Sequence, residues 1–449
     1  MGKDKKMTIP FSPPDISELE ISEVSDALRS GWITTGKRTK LLEKRLCAFI
    51  ETGMADIDCE ADAASQKYNY RVICLNSATA AEELILRLIG IGPGDEVIVP
   101  AYTYTATASA VIHCGGVPVF VDIKKNGDDR THMPEMDYEK LKEVINEKTK
   151  AVVTVDLGGV VCDYEKLFEI VDEKKATFRP RKNDGSMLGS ISSRIQSELG
   201  RIAVIADSAH SLGAKRLFRG EWKNCGEIAD FTSFSFHAVK NFTTGEGGAA
   251  VWKQFRTVSD KEIYDLMQLL SLHGQNKDAL EKSRSDGNSW EYDIIGPWYK
   301  CNMTDIAAAM GLRQLDRYPG LVARRKDIVS KYDETCIELG ISRMIHDTEF
   351  MSSSGHLYLI RVDDADEEER NSLIRAFAEH GVATNVHYKP LPMMTAYKEL
   401  GWDIKDFPNS YDYYRNLITL PLYSKMTDQE SDYVCQVLKE VITSFRETR

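Results

Sequence analysis

The sequence predicts an α/β fold: a large domain on a mainly parallel mixed sheet flanked by helices, then a smaller C-terminal α+β domain. Three observations lead there. Continuous apolar runs such as RIAVIAD (201–207) and AVVTVDL (151–157) have the pattern of strands buried on both faces, as parallel strands are. The stretch EVIVPAYTYTATASAVIHCGGVPVFVDI (96–123) reads strand, loop, helix, strand, the unit from which such sheets are wound. With 449 residues, 42% of them hydrophobic, the chain can bury one large core and a smaller one. We divide it into an N-terminal arm (1–20), a large domain (21–314) and a small domain (315–449).

Taken in order, a proline-rich lead-in from Pro10 to Pro14 precedes ISELEISEVSDALRSG (16–31), whose apolar positions recur at helical spacing up to Gly31. GWITTG (31–36) fits a helix stop followed by an N-cap. Residues 51–70 are polar and acidic and read as an inserted surface loop. After a short strand at 71–75, NSATAAEELILRLIGIG (76–92) opens a helix whose first turn carries small side chains and free backbone N–H groups. That is either an anion site or an ordinary capped helix. A second insertion near 175–200, rich in Lys, Arg, Ser and Gly, reads as solvent-facing. A long helix is expected from about Arg324 into the small domain, and an amphipathic helix ends the chain.

The chemistry concentrates in SFSFHAVKNFTTGEGGAAVW (233–252), which places Lys240 on a loop between a strand and a glycine turn. A lysine so held is partly desolvated, which disfavours its ammonium form and frees an amine for carbonyl, Schiff-base chemistry. Upstream, the strand at 201–207 ends in Asp207, at the edge where open sheets bind ligands, with His210 three residues on. A lysine for a cofactor aldehyde and a carboxylate for its pyridine nitrogen are what pyridoxal phosphate requires.

The order Asp207, Ser235, Lys240 resembles the DegT-type sugar aminotransferases, members of the fold type I, aspartate-aminotransferase-like superfamily. The resemblance covers nearly the whole chain and is most specific from Asp207 to Gly248. It implies that Ala78, Thr79 and Ser235 bind the cofactor phosphate, that Tyr104 stacks on the pyridine, and that His210 positions Asp207 or meets the phenolic oxygen. It implies that Asn302 of YKCNM (299–303), with less support Lys300, reaches the neighbouring chain's phosphate across a homodimer interface. Trp32, Thr34 and Thr35 of GWITTG, and His387 of the HY-x-P segment, are carried over as substrate contacts. Asp156 stands where relatives commonly have a histidine. The implied reaction is transfer of an amino group, with glutamate as donor, to a nucleotide-linked keto-sugar, a 4-keto-6-deoxy sugar by family habit, for amino-sugar and polysaccharide synthesis. A cyclitol or other small ketone remains an alternative acceptor. Lys240 speaks against a sugar dehydratase, and the intact Asp207, Ser235 and Lys240 speak against a non-catalytic binding subunit.

Composition bounds the rest. A net charge of −12 argues against a nucleic-acid surface. Nine cysteines without a C-x-x-C pair suit reduced thiols in the cytoplasm, and neither a metal-ligand spacing nor a membrane span is read from the letters.

Overall fold

Alternation along the strands decides where the cores lie. The computed structural model describes residues 7–59, 67–68, 70–125, 130–277 and 291–449. Among these residues the strands, in chain order, are β1 (Val72–Leu75), β2 (Glu96–Pro100), β3 (Val117–Val121), β4 (Thr131–His132), β5 (Thr149–Val155), β6 (Ala203–Asp207), β7 (Lys215–Phe218), β8 (Glu221–Asn224), β9 (Phe231–Ser235), β10 (Gly248–Trp252), β11 (Ser342–Met344), β12 (Met351–Ser352), β13 (Tyr358–Arg361) and β14 (Leu417–Leu420). Seven form one sheet in the order β1-β10-β9-β6-β5-β2-β3, in which β10 alone runs against its neighbours. Ile98, Val152 and Val204 face a core shared with helix Lys37–Thr52. Val97, Val99, Val153 and Ile205 face the other, under helices Ala78–Leu88, Thr105–His113 and Asp260–Ser271. Apolar residues at both parities explain the unbroken hydrophobic runs.

The C-terminal part has its own core. β14, β13 and β11 form a sheet extended by β4 from the large part of the chain. Helices Glu367–Glu379 and Asp428–Glu447 pack on it, and Ile9 of the arm is buried there, paired with Val382. β7, β8 and β12 make a small separate sheet. The two large units are pinned together at Asp122, whose Oδ1 accepts from the Ser410 N–H (2.8 Å) and hydroxyl (2.6 Å) and whose Oδ2 accepts from the Asn409 N–H (3.0 Å), capping helix Pro408–Arg415.

Three expectations are corrected. The long helix starts at Asp305, not near Arg324, and runs through Pro319 to Leu339. Its buried stripe of Leu312, Leu315, Tyr318, Leu321 and Ile328 outweighs the proline's lost hydrogen bond. Within 175–200, Met187–Leu199 is a helix with Ile191 and Ile195 buried, and its Ser192 hydroxyl and Gln196 amide donate to the Leu88 and Ile89 carbonyls at 2.8 and 2.6 Å. This second insertion is therefore packed on the core and only partly solvent-facing. In the 51–70 stretch, Gly53, Met54, Asp56, Asp58 and Lys67 are exposed but Cys59 and Tyr68 are buried against the main core, so its described ends are only in part a surface loop. Residues 60–66 and 69 of that stretch, and 278–290 of the polar run after His273, lie outside the described residues.

Candidate active site

The carboxyl ends of β1, β2, β5, β6 and β9 and the start of β10 open onto a cleft of about 410 Å³ that contains Lys240, Asp207, Ser235, Ala78, Thr79, Tyr104, His210 and His387 together. Lys240 is fixed there by its neighbours. Phe236 and Phe242 on either side are buried with their rings 4.7 Å apart. The loop is tied back on itself by Thr244 N–H to the Phe236 carbonyl (2.9 Å) and Phe236 N–H to the Gly247 carbonyl (2.8 Å). Asn241 anchors it to the C-terminal part, donating to the Ser354 carbonyl at 2.8 Å.

The Lys240 side chain is half-buried in the cleft. Burial lowers its pKa from 10.5 to about 8, and the Asp207 charge opposes that shift. Below pH 8 the amine is protonated in both folded and unfolded chains, so the folded apoprotein bears the desolvation cost in full. Between pH 8 and 10.5 only the unfolded chain holds the proton, and stability rises with pH. Lys240→Met should therefore stabilise the apoprotein by about 2–3 kcal/mol at pH 7, with the advantage gone above pH 10.5. Denaturant unfolding across that window checks it.

Asp207 ends β6 directly beside Ser233 of β9, so two adjacent parallel strands set its distance from the lysine loop. Its Oδ2 accepts from the Thr107 hydroxyl at 2.8 Å and its Oδ1 from the Ala209 N–H at 3.2 Å. Thr107 is itself held by Thr103, 2.9 Å between hydroxyls. Donors on both oxygens suit a carboxylate that must stay charged against a ring nitrogen.

At the other end, the first turn of helix Ala78–Leu88 turns its N–H groups towards the cleft, with Ser77 as N-cap accepting from the Ala80 N–H (3.1 Å). Ser235 pairs with Gly248 across the β9/β10 ladder. A Cβ on Gly248 would stand 2.4 Å from the Ala78 nitrogen and the Ser77 carbonyl carbon, so only glycine lets strand and helix end approach this closely. Helix N-terminus and hydroxyl together make an anion cradle. Gly248→Ala should weaken phosphate-cofactor binding by about tenfold or more, the cost of displacing backbone in a packed site. Titrating the apoprotein with pyridoxal phosphate measures it.

The outer wall is aromatic. Tyr104 is 58% exposed, leaving a ring face free, and lies 5.7 Å from the ring of Tyr388. The Gly158 N–H donates to His210 Nδ1 at 3.1 Å, which places that ring's proton on Nε2, 3.2 Å from the Tyr388 oxygen. His210 thus engages Tyr388, with no hydrogen bond to Asp207 among the described residues, and burial followed by the Lys240 charge keeps it neutral. His387 stacks on Phe11 at 5.5 Å, and burial with the Lys240 charge pulls its pKa to about 4. Tyr102 holds both residues: its hydroxyl donates to the His387 carbonyl and accepts from the Tyr388 N–H, each at 2.7 Å.

Trp32, Thr34, Thr35 and Asn302 do not line this cleft in the same chain. They form a second cluster, in which Asn302 accepts from Lys300 and donates to the Thr35 hydroxyl, which donates to the Met303 carbonyl (2.5 Å). Trp32 Nε1 donates to the Thr35 carbonyl at 3.2 Å, and the Asp305 N–H to that of Thr34 at 3.2 Å. Asp156 stands outside the cleft as well. Buried and bonded by Ser208 (2.6 Å), Cys162 N–H (2.9 Å) and Tyr164 (3.1 Å), it organises the polypeptide behind β6. Sequence reasoning passed over Tyr388, Thr107 and Glu82, which also borders the cleft. For Tyr388 the HY-x-P segment was a signal; for the other two none was local.

Against known proteins, a family model described as the DegT/DnrJ/EryC1/StrS aminotransferase family matches residues 14–178 and 193–439, its break falling inside the second insertion. The spore coat polysaccharide biosynthesis protein SpsC of Bacillus subtilis (strain 168) is 33% identical over 447 residues, spanning 98% of this chain and 99% of that protein. Spr1654 from Streptococcus pneumoniae, a proposed sugar aminotransferase solved in its PMP-form, is 49% identical with a TM-score of 0.86, spanning 98% of this chain and 99% of that one. Its PLP-form gives a TM-score of 0.85 at the same identity, spanning 98% of this chain and 100% of that one. Helicobacter pylori PseC, an aminotransferase involved in pseudoaminic acid biosynthesis, shares the fold at 24% identity, with a TM-score of 0.72 over 98% of this chain and 100% of that one.

Proposed function

The chain belongs to the DegT/DnrJ/EryC1/StrS aminotransferase family of pyridoxal-phosphate enzymes, and on that premise we propose that it transfers an amino group from L-glutamate to a nucleotide-linked 4-keto-6-deoxy sugar. The observation that carries the reading is the Lys240 amine, lowered to about 8, set in one cleft with a buried carboxylate and an anion cradle. The residues fit the cofactor: the cradle that a Cβ at Gly248 would fill suits its phosphate, and Asp207 with its two donors suits its ring nitrogen. When bound, pyridoxal phosphate supplies an aldehyde for an amine and a ring that withdraws electrons from the carbon beside it.

The chain's own residues do the rest. Lys240 Nζ takes the proton from the donor's α-carbon as general base and delivers a proton as general acid; an amine titrating near 8 performs both at neutral pH. With the cofactor in place, Asp207 would keep the ring nitrogen protonated, the Ala78–Thr79 turn and Ser235 would hold the phosphate, and Tyr104 would offer a ring to stack on it. Neutral His387 and Tyr388 stand on the acceptor side, where they hydrogen-bond a sugar without competing for charge.

The Trp32, Thr34, Thr35 and Asn302 cluster serves, in this reading, the site of a second copy in a homodimer, which is why it is absent from its own chain's cleft. Sedimentation that found a fully active monomer would remove that role. Nine free cysteines support a reducing, cytoplasmic setting. Incubation with glutamate and a panel of nucleotide keto-sugars, read by mass, should give an amino sugar from a 4-keto-6-deoxy member. Turnover only with free cyclitols or small ketones would replace the proposed acceptor.

A further inference from the structure

The floor of the cleft carries a second carboxyl that the chemistry above does not use. Glu82 lies one helical turn beyond the phosphate cradle, on helix Ala78–Leu88, and is 2% exposed. Its Oε1 accepts from the Ser233 hydroxyl at 3.0 Å. Its Oε2 is fully buried, and no donor reaches it among the described residues. Ser233 sets it beside Asp207, that serine's register partner, and the two carboxyls act on each other electrostatically. Two carboxylates in contact repel, and neither has a hydrogen to offer. The contact becomes a bond only when one of them holds a proton.

We propose that Glu82 is a neutral acid whose Oε2–H donates to Asp207, making it a positioning residue for the carboxylate that faces the cofactor's ring nitrogen. Burial, then the Asp207 charge and the bond to Asp207, push the Glu82 carboxyl well above the usual carboxylate range, while the Ser233 hydroxyl pulls the other way. Thr107, Ala209 N–H and Glu82 then give Asp207 three donors. Together they stabilise its negative charge in a dry site, so the shared proton stays on the ring nitrogen instead of passing to the carboxylate. A glutamate beside Glu83 in sequence thus becomes part of the electron sink's support.

The inference rests on Asp207 being the ring-nitrogen partner, and the test separates the two claims. In the apoprotein at neutral pH, the infrared carboxylic-acid band should lose intensity in Glu82→Gln relative to wild type. In the holoenzyme loaded with ¹⁵N-labelled pyridoxal phosphate, Glu82→Gln, whose amide donates in the same direction, should leave the ring-nitrogen shift unchanged. Glu82→Leu should move that shift towards the unprotonated value and raise the cofactor's Kd by about tenfold or more. An unchanged infrared band in Glu82→Gln, or a wild-type nitrogen shift in Glu82→Leu, overturns the proposal. Should Asp207→Asn leave the nitrogen shift unmoved, Asp207 itself is misassigned, and the infrared result still reports whether Glu82 holds a proton.

Discussion

Lys240→Ala is expected to lower kcat by about four orders of magnitude and to remove the visible band that depends on the bond between the lysine and the cofactor, leaving only the shorter-wavelength absorbance of the free aldehyde. Both losses have one origin. In the proposed mechanism the amine at 240 is the covalent attachment point and the group that moves the proton, and His210 and His387, whose pKa values burial alone still lowers in the variant, are too weakly basic to replace it. Borohydride treatment of the wild-type holoprotein followed by peptide mapping should place the label on Lys240. Label on another lysine would end the assignment. An exogenous small amine should restore part of the activity to Lys240→Ala, because the cleft is open enough to admit one.

Asp207→Asn should lower kcat by about two to three orders of magnitude, the range seen when one partner of a buried charged contact is removed. The cradle is untouched, so cofactor remains bound and borohydride still labels Lys240. A second effect runs through the amine. The Asp207 charge supports the ammonium form of Lys240 against burial, so its removal should move the lysine's pKa below about 8. The pH dependence of cofactor addition to the apoprotein reads this directly. A shift upward would mean that the carboxylate does not act on the amine.

What the letters disclosed and what they hid follow from how far each interaction reaches. Lys240, Ser235 and Asp207 were legible because strand, glycine turn and reactive group lie within twenty residues or at a strand's end. The anion cradle was legible as a motif, but its depth depends on Gly248, 170 residues away from Ala78 and adjacent only once β10 inserts beside β1. Glu82 stands next in sequence to Glu83, which reaches outward to Arg87, and nothing in the letters separates the two. Only the sheet's order brings Glu82 against Asp207. The Met187–Leu199 helix was misjudged because four serines are spread along it, although Leu188, Ile191 and Ile195 already had helical spacing. Pro319 concealed the full length of the Asp305–Leu339 helix in the same way.

The single phenol of Tyr102 has a further consequence. Amine, acid and phosphate seat all hang from one sheet, whereas His387 and Tyr388 come from a late segment held to that sheet by the Tyr102 hydroxyl, by the Leu391 N–H donating to the Ala101 carbonyl (3.0 Å) and by the contact of Tyr388 with His210. In the proposed reading, the part that does the chemistry and the part that meets the incoming sugar are thus separate segments, joined by a few hydrogen bonds. Grafting residues 385–394 from a relative with a different acceptor should transplant substrate preference while the borohydride label stays on Lys240, which makes the segment a natural place for such enzymes to diverge.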